Sequence, residues 1–136
     1  AEPHEGCALL LGRQQDADLA LERIWPCCNS WQPAEQRCQR FLLDPREQLL
    51  AQRWARQRGL QVLGSAHSHP SSPAVPSATD RSLCLGPTLM LIRSGLNTPS
   101  ALRAWWLLEA AEGELAAVGE LPLSITSTTG AGHLGE

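Results

Sequence analysis

Apolar residues along the chain occur in short runs that end at glycine, proline or clustered polar residues, a pattern typical of buried β-strands. The runs cover residues 7–11, 20–26, 41–43, 60–68, 87–94, 102–108 and 115–125. Between them, residues 29–39 are mostly polar and residues 70–76 contain three prolines, so both segments are predicted loops. The pattern therefore predicts a chain built mainly on strands.

One segment carries the end signals of an α-helix. Asp44 is the predicted N-cap, Pro45 suits the first helical position, and Glu47 completes a capping box. Gly59 is the predicted end of this helix. Its predicted apolar face consists of Leu49, Leu50 and Trp54. Strands around one strong helix indicate an α/β or α+β domain with a single sheet.

Length and composition restrict the function. The 136 residues fit one domain, and an apolar content of 43% is enough for a core. The net charge of −3 argues against nucleic acid as the main partner. No apolar run reaches the roughly 18 residues of a membrane span, and no signal peptide is recognisable, so no membrane association is expected.

The cysteines favour a cytoplasmic location. The chain has five, an odd number whose spacings do not form a disulfide framework, so reduced thiols are predicted. Cys27, Cys28 and Cys38 could be argued as a metal site, but they lack a C-x-x-C pair.

The most distinctive chemistry lies in His67-Ser68-His69-Pro70, followed six residues later by Ser77-x-x-Asp80. Because side chains alternate along a strand, both imidazoles are predicted to share one face, together with Leu63 and Ser65. Two imidazoles and a carboxylate are the ligand set of a catalytic zinc whose fourth position holds water. His67, His69 and Asp80 are therefore the predicted ligands of one zinc ion.

Two further residues would complete a hydrolytic site. Zinc lowers the pKa of bound water from about 15.7 to about 7. A carboxylate that does not bind the metal can take the released proton and deliver it to a leaving amine, and Glu5 is predicted for this role. The Ser77 hydroxyl is predicted to donate to the developing oxyanion. The expected reaction is amide hydrolysis without a covalent intermediate.

Other interpretations of the same residues remain open. Ser77 and Asp80 have the spacing of a helix capping box, which is compatible with metal binding. A Ser-His-Asp triad would use Ser71, Ser72 or Ser77 as the nucleophile, but the chain has no G-x-S-x-G elbow.

The motif resembles that of the JAMM (MPN-plus) metalloproteases, E…H-x-H-P-x6-S-x-x-D, without a gap or substitution. The likeness to small prokaryotic JAB-type members extends to residues 5–12, 41–45 and 103–105. It implies that His67, His69 and Asp80 bind zinc, that Glu5 is the acid and base, and that Ser77 steadies the tetrahedral intermediate.

The resemblance also implies a fold and a domain extent. The expected fold is a single central mixed β-sheet, partly barrel-like and flanked by helices, as in the MPN and cytidine-deaminase-like architecture. The metallopeptidase domain is expected to span residues 1–125, without the helix that precedes the glutamate in the family. Residues 126–136, which include His133, are expected to form a flexible, exposed tail.

By resemblance to the small bacterial members, the expected substrate and partner is a ubiquitin-like sulfur-carrier protein, cleaved at its C-terminal Gly-Gly tail or at an adduct on that tail. The insertions with which eukaryotic members grip ubiquitin have no room here, so ubiquitin itself is not the expected substrate. Hydrolysis of a small amide is compatible with the same residues. The alternative function is a non-catalytic MPN-type protein-binding scaffold, which would not need a complete ligand set.

Overall fold

The computed structural model describes residues 7–27, 45–82, 84, 86–96 and 101–124. In chain order their elements are β1 (Cys7–Gln15), β2 (Asp18–Cys27), α1 (Pro45–Arg56), β3 (Gln61–His69), α2 (Ala78–Ser82), β4 (Thr88–Ser94), β5 (Leu102–Leu107) and β6 (Val118–Leu121). Glu5, Asp44 and the segments predicted at 29–39, 41–43 and 126–136 lie outside the described residues.

All six strands belong to one sheet with the order β2-β1-β3-β4-β5-β6. Neighbouring strands are antiparallel, except for β3 and β4, which are parallel. A parallel pair needs a crossover connection, and here the crossover contains the proline-rich 70–76 loop and α2. The fold is α+β with a single mixed sheet, which confirms the predicted fold class.

The hairpin of β1 and β2 is longer than the apolar pattern predicted. The predicted strand ended at residue 11, but Arg13, Gln14 and Gln15 continue the pairing with β2. Asp16 turns the chain with a φ of 55°, a conformation that aspartate tolerates better than most residues. The exposed end of this hairpin carries no apolar signal, so the pattern could not reveal it.

The buried face of α1 differs from the prediction. Ala51 and Ala55 are buried and pack against apolar residues of β1. Leu49 and Leu50 are 65% and 51% exposed, so their assignment to the buried face was wrong, whereas Trp54 does pack against this cluster. Small side chains let the helix lie close to the sheet, and a pattern weighted by hydrophobicity favours the larger leucines instead.

The C-terminal end of α1 was predicted correctly. Gly59 has a φ of 70°, and the Leu60 N–H donates to the Ala55 carbonyl over 2.9 Å, as in a Schellman motif. Near the start of the helix, the Trp25 indole N–H donates to Glu47 Oε2 over 2.9 Å. The carboxylate predicted to cap the helix therefore also fastens it to β2.

A β-bulge in β3 changes which side chains share a face. Two successive residues of β1 pair with Gly64 and Val62, and Leu63 bulges between them. Leu63 packs in a different apolar cluster from Val62, on the opposite side of the sheet. The prediction that Leu63 shares a face with His67 and His69 was therefore wrong, although the alternation holds beyond the bulge.

Three apolar clusters stabilise the sheet. One lies between α1 and the first strands, and a second lies on the same face where β4 and β5 meet the crossover. The third covers the opposite face and contains Leu10, Leu63, Leu89 and Ala104.

At the far edge of the sheet, β6 spans only four of the residues predicted at 115–125. It lies between a turn at Gly113 and Pro122. Neither described helix is long and apolar enough to cross a membrane.

Candidate metal centre

The candidate centre forms where the parallel strands β3 and β4 end. The last residues of β3 carry His67 and His69 on one face of the sheet, because residues two apart on a strand point the same way. The crossover then passes over this face, and the first turn of α2 brings Asp80 to the two imidazoles. The parallel pairing of β3 and β4 therefore places the end of β3 beside the start of α2.

Three ligand atoms lie at the corners of a small buried triangle. His67 Nε2 lies 3.1 Å from His69 Nε2 and 3.2 Å from Asp80 Oδ2. His69 Nε2 lies 3.5 Å from the same carboxylate oxygen. The side chains of His67, His69 and Asp80 are only 0%, 6% and 6% exposed. These three side chains form a group that could hold a metal ion.

The size of the triangle matches one face of a tetrahedral zinc site. Imidazole nitrogens and carboxylate oxygens bind zinc at about 2.0–2.1 Å, so two ligands at the tetrahedral angle lie about 3.3–3.4 Å apart. The sides of 3.1, 3.2 and 3.5 Å bracket that separation. A cation can also accept electron pairs from all three atoms at once, whereas one shared proton cannot. His67, His69 and Asp80 therefore fit a zinc ion.

Asp80 is both a predicted ligand and part of a capping box. Its backbone N–H donates to Ser77 Oγ over 3.0 Å, and its Oδ2 accepts a hydrogen bond from the Ser77 N–H over 2.8 Å. Burial raises the pKa of the Asp80 carboxyl, but the contacts with His67, His69 and the Ser77 N–H outweigh burial and hold this pKa well below its usual range. The carboxylate is therefore ionised at neutral pH.

Both imidazoles have features that suit neutral nitrogen ligands. Burial lowers the pKa of His67 below its ordinary value, although Asp80 opposes the shift. His69 Nδ1 lies 2.8 Å from the Pro73 carbonyl oxygen. A carbonyl can only accept, so Nδ1 must carry the hydrogen, and in the neutral ring Nε2 keeps its lone pair toward the centre.

The other predicted site residues differ in how far the structure describes them. Ser77 adjoins the centre through its two hydrogen bonds with Asp80, so the capping box exists alongside the ligand triangle. Ser71 and Ser72, offered as alternative nucleophiles, are exposed residues of the 70–76 loop. Glu5 lies outside the described residues, and its role remains a prediction.

Arg81 and Pro73 were not among the predicted site residues. Arg81 Nε donates to the Ala116 carbonyl over 2.9 Å, and the Ala116 N–H donates to the Arg81 carbonyl over 3.0 Å. This reciprocal pair ties α2, and with it Asp80, to the segment before β6. The Arg81 side chain and carbonyl bind backbone atoms of a residue 35 positions further along the chain, which no local pattern reveals. For Pro73, the proline-rich composition of the loop was the only available signal.

Comparison with known proteins identifies the family of this chain. The family described as prokaryotic homologs of the JAB domain matches residues 1–108. The chain belongs to this family. Residues 1–108 include His67, His69, Ser77 and Asp80. The match confirms the resemblance to small prokaryotic JAB-type proteins.

Three proteins illustrate the similarity, one by sequence and two by both sequence and solved structure. A desampylase from Pyrococcus furiosus is 37% identical over 106 residues, which make up 77% of this chain and 68% of that protein. The solution structure of a protein from Desulfitobacterium hafniense has a TM-score of 0.73 and 36% identity, covering 94% of this chain and 82% of that one. A protein from Salinibacter ruber has a TM-score of 0.60 and 32% identity, with coverages of 98% and 85%.

Proposed function

We propose that this JAB-family protein is a zinc-dependent metallopeptidase, an isopeptidase that hydrolyses an amide bond at the C-terminus of a ubiquitin-like protein. The observation that carries the proposal is the buried triangle of His67, His69 and Asp80, with sides of 3.1, 3.2 and 3.5 Å. Two imidazoles and one carboxylate suit zinc, which favours mixed nitrogen and oxygen ligands. The similarity to a desampylase supports an isopeptidase that acts on ubiquitin-like modifiers.

The mechanism assigns one task to each side chain. His67, His69 and Asp80 would hold the zinc ion with a total ligand charge of −1, which would leave it Lewis acidic. Bound zinc would lower the pKa of a water to about 7 and polarise the substrate carbonyl. Glu5 accepts the proton from the attacking water and delivers it to the leaving amine.

Ser77 is proposed as the donor to the oxyanion. Its Oγ accepts the Asp80 N–H, so the hydroxyl hydrogen can point away from α2 toward a substrate oxygen. The same hydrogen bond holds the hydroxyl in position before substrate binds. A positioned donor of this kind contributes about 2.7–4 kcal/mol to transition-state stabilisation.

The proposed substrate is the C-terminal Gly-Gly tail of a ubiquitin-like sulfur-carrier protein, or an adduct on that tail. The ligand side chains are at most 6% exposed, so the polypeptide that carries the scissile amide has to be slender where it meets them. Two glycines lack side chains, and their backbone can come close to a buried centre without steric conflict. An extended tail can also pair with a nearby strand.

The first test combines metal content with hydrolysis. Purified protein should contain about one zinc per chain and should cleave a sulfur carrier extended by an amide-linked residue after its Gly-Gly tail. A chelator should abolish cleavage, and added zinc should restore it. His67→Ala should lose both zinc and cleavage, whereas the control His133→Ala, which removes a histidine from the predicted tail, should keep both. A folded wild-type protein without zinc and without cleavage would favour the scaffold function.

The second test concerns the proton carrier. Glu5→Gln preserves size and removes the basic carboxylate, so zinc content should stay near one per chain while turnover falls by about 10²–10⁴-fold. Elemental analysis and single-turnover kinetics measure the two effects separately. Unchanged turnover in Glu5→Gln would reject the assignment of Glu5 but not the zinc site.

A further inference from the structure

Three consecutive carbonyl groups of the 70–76 loop each accept a hydrogen bond from a side chain of a different strand. The Ser72 carbonyl accepts from Ser94 Oγ of β4 over 2.6 Å, and the Pro73 carbonyl accepts from His69 Nδ1 of β3 over 2.8 Å. The Ala74 carbonyl accepts from the indole N–H of Trp105 in β5 over 2.8 Å. The middle one of these three hydrogen bonds therefore comes from His69, a proposed zinc ligand.

The two outer bonds restrict the middle carbonyl. Peptide groups are planar, and the ring of Pro73 fixes its φ near −65°. With the carbonyls of Ser72 and Ala74 held, little rotational freedom remains for the Pro73 carbonyl between them. The Val75 N–H also donates to the Pro73 carbonyl over 2.8 Å, so the direction of this carbonyl toward His69 Nδ1 depends on several donors that do not touch the imidazole.

Ser94 connects the loop to the ends of both parallel strands. It is buried, pairs with His69 across β3 and β4, and accepts the Leu96 N–H over 3.0 Å while it donates to Ser72. The next residue, Gly95, donates its N–H to the His69 carbonyl over 2.8 Å. A side chain at Gly95 would collide with the Pro70 carbonyl, so the strand end and the loop are in close contact.

Trp105 binds the third of these carbonyls, that of Ala74. Its ring is buried in the apolar cluster that also contains Ala74, Met90 and Ile92. Apolar packing alone would not require an indole, because phenylalanine could fill much of this space. The indole N–H supplies the bond to Ala74 that a phenyl ring cannot make.

We propose that Ser94 and Trp105 are positioning residues that hold the Pro73 carbonyl against His69 Nδ1 and thereby keep the His69 Nε2 lone pair directed at the metal. Neither residue touches the ion or the substrate. Outer-shell partners of metal-binding histidines typically contribute 10- to 100-fold to metal affinity. The zinc part of this inference rests on the proposed function, whereas the control of the His69 tautomer does not.

Trp105→Phe removes the N–H and keeps an aromatic ring, and Trp106→Phe is the matched control. Trp106 is the next residue of β5, but it packs with the cluster on the opposite face of the sheet. Zinc dissociation constants, measured by competition with a chelator, should rise about 10- to 100-fold in Trp105→Phe and in Ser94→Ala. They should stay within about threefold of wild type in Trp106→Phe, and Tm values of the zinc-free proteins report the stability cost of each change.

Nitrogen NMR of the zinc-free proteins provides a second readout. His69 should carry its hydrogen on Nδ1 in the wild type and in Trp106→Phe, and this preference should weaken in Trp105→Phe and Ser94→Ala. The proposal would be overturned if Trp105→Phe and Ser94→Ala both had the same zinc affinity and the same His69 tautomer as Trp106→Phe. A wild-type protein that binds no zinc would refute the proposed function, and the tautomer measurement would then decide this inference by itself.

Discussion

At the scale of single residues, Asp80 and His69 each serve two purposes in the centre. Asp80 Oδ2 contacts both imidazoles and accepts the Ser77 N–H, so one carboxylate both starts α2 and completes the ligand triangle. His69 binds the Pro73 carbonyl with one nitrogen and faces the centre with the other. Removal of one side chain therefore affects local structure and chemistry together, and variants have to separate the two.

Ser77→Ala makes that separation. Loss of the hydroxyl that caps α2 should lower the free energy of unfolding by about 1 kcal/mol, measured by urea denaturation. If the same hydroxyl stabilises the oxyanion, turnover should also fall by about 10²–10³-fold with zinc content unchanged. The control Ser82→Ala removes an exposed hydroxyl of the same helix, which bonds to the Thr79 carbonyl, and should leave turnover near that of wild type. Equal turnover in both variants would restrict Ser77 to its capping role.

At the scale of elements, the centre depends on how closely β3 and β4 approach each other. Gly64 faces Leu89 in the parallel ladder, and a Cβ at Gly64 would overlap the Leu89 carbonyl. The strand that carries both histidines therefore needs a glycine three residues before the first of them.

Gly64→Ala should lower the free energy of unfolding by about 3 kcal/mol, the upper end of what overpacking costs, because backbone atoms have to move apart. Zinc affinity should fall as well, since β3 cannot shift without moving His67 and His69. Gly119→Ala is the matched control, because a Cβ in that strand would meet nothing within 4 Å. Its effect should stay within about 0.5 kcal/mol. A similar small effect of Gly64→Ala in urea denaturation would contradict the close strand approach.

At the scale of the whole molecule, a metal ion would join β3 to α2 and, through α2, to a segment 35 residues further along the chain. The ligands come from the end of β3 and from α2, and α2 is in turn tied to the segment before β6 through Arg81. An ion that binds only the folded arrangement stabilises all of these parts together.

Zinc removal should therefore lower Tm. At free zinc 100-fold above its dissociation constant, binding contributes about 2.7 kcal/mol. For a domain of this size that corresponds to a rise in Tm of roughly 10 °C, measured by calorimetry with and without chelator. Asp80→Ala should show no zinc-dependent change. A wild-type Tm that is insensitive to zinc would contradict the site, and an equal rise in Asp80→Ala would place the binding elsewhere.

The fold class and the candidate ligands could both be inferred from the chain because their signals are local. Apolar runs predicted most strands, and Gly59 marked the end of α1. Two histidines at alternate strand positions and a serine three residues before an aspartate have their geometry set by backbone periodicity. These residues lie close together along the chain, so a pattern of neighbouring residues determines their relative geometry.

Other features depended on the tertiary structure. The sequence did not indicate the bulge at Leu63, and α1 turns Ala51 and Ala55 to the sheet in place of the predicted leucines. Both follow from the fit between elements that are far apart in sequence.

The sequence by itself determined which side chains could bind a metal and which local structures carry them. Only the tertiary structure decided that their nitrogen and oxygen atoms meet within 3.5 Å, and that Ser94 and Trp105 hold the loop beside them. Backbone periodicity controls the orientation of neighbouring residues. The distance between segments depends on how strands pair and side chains pack across the whole sheet, which no local pattern specifies.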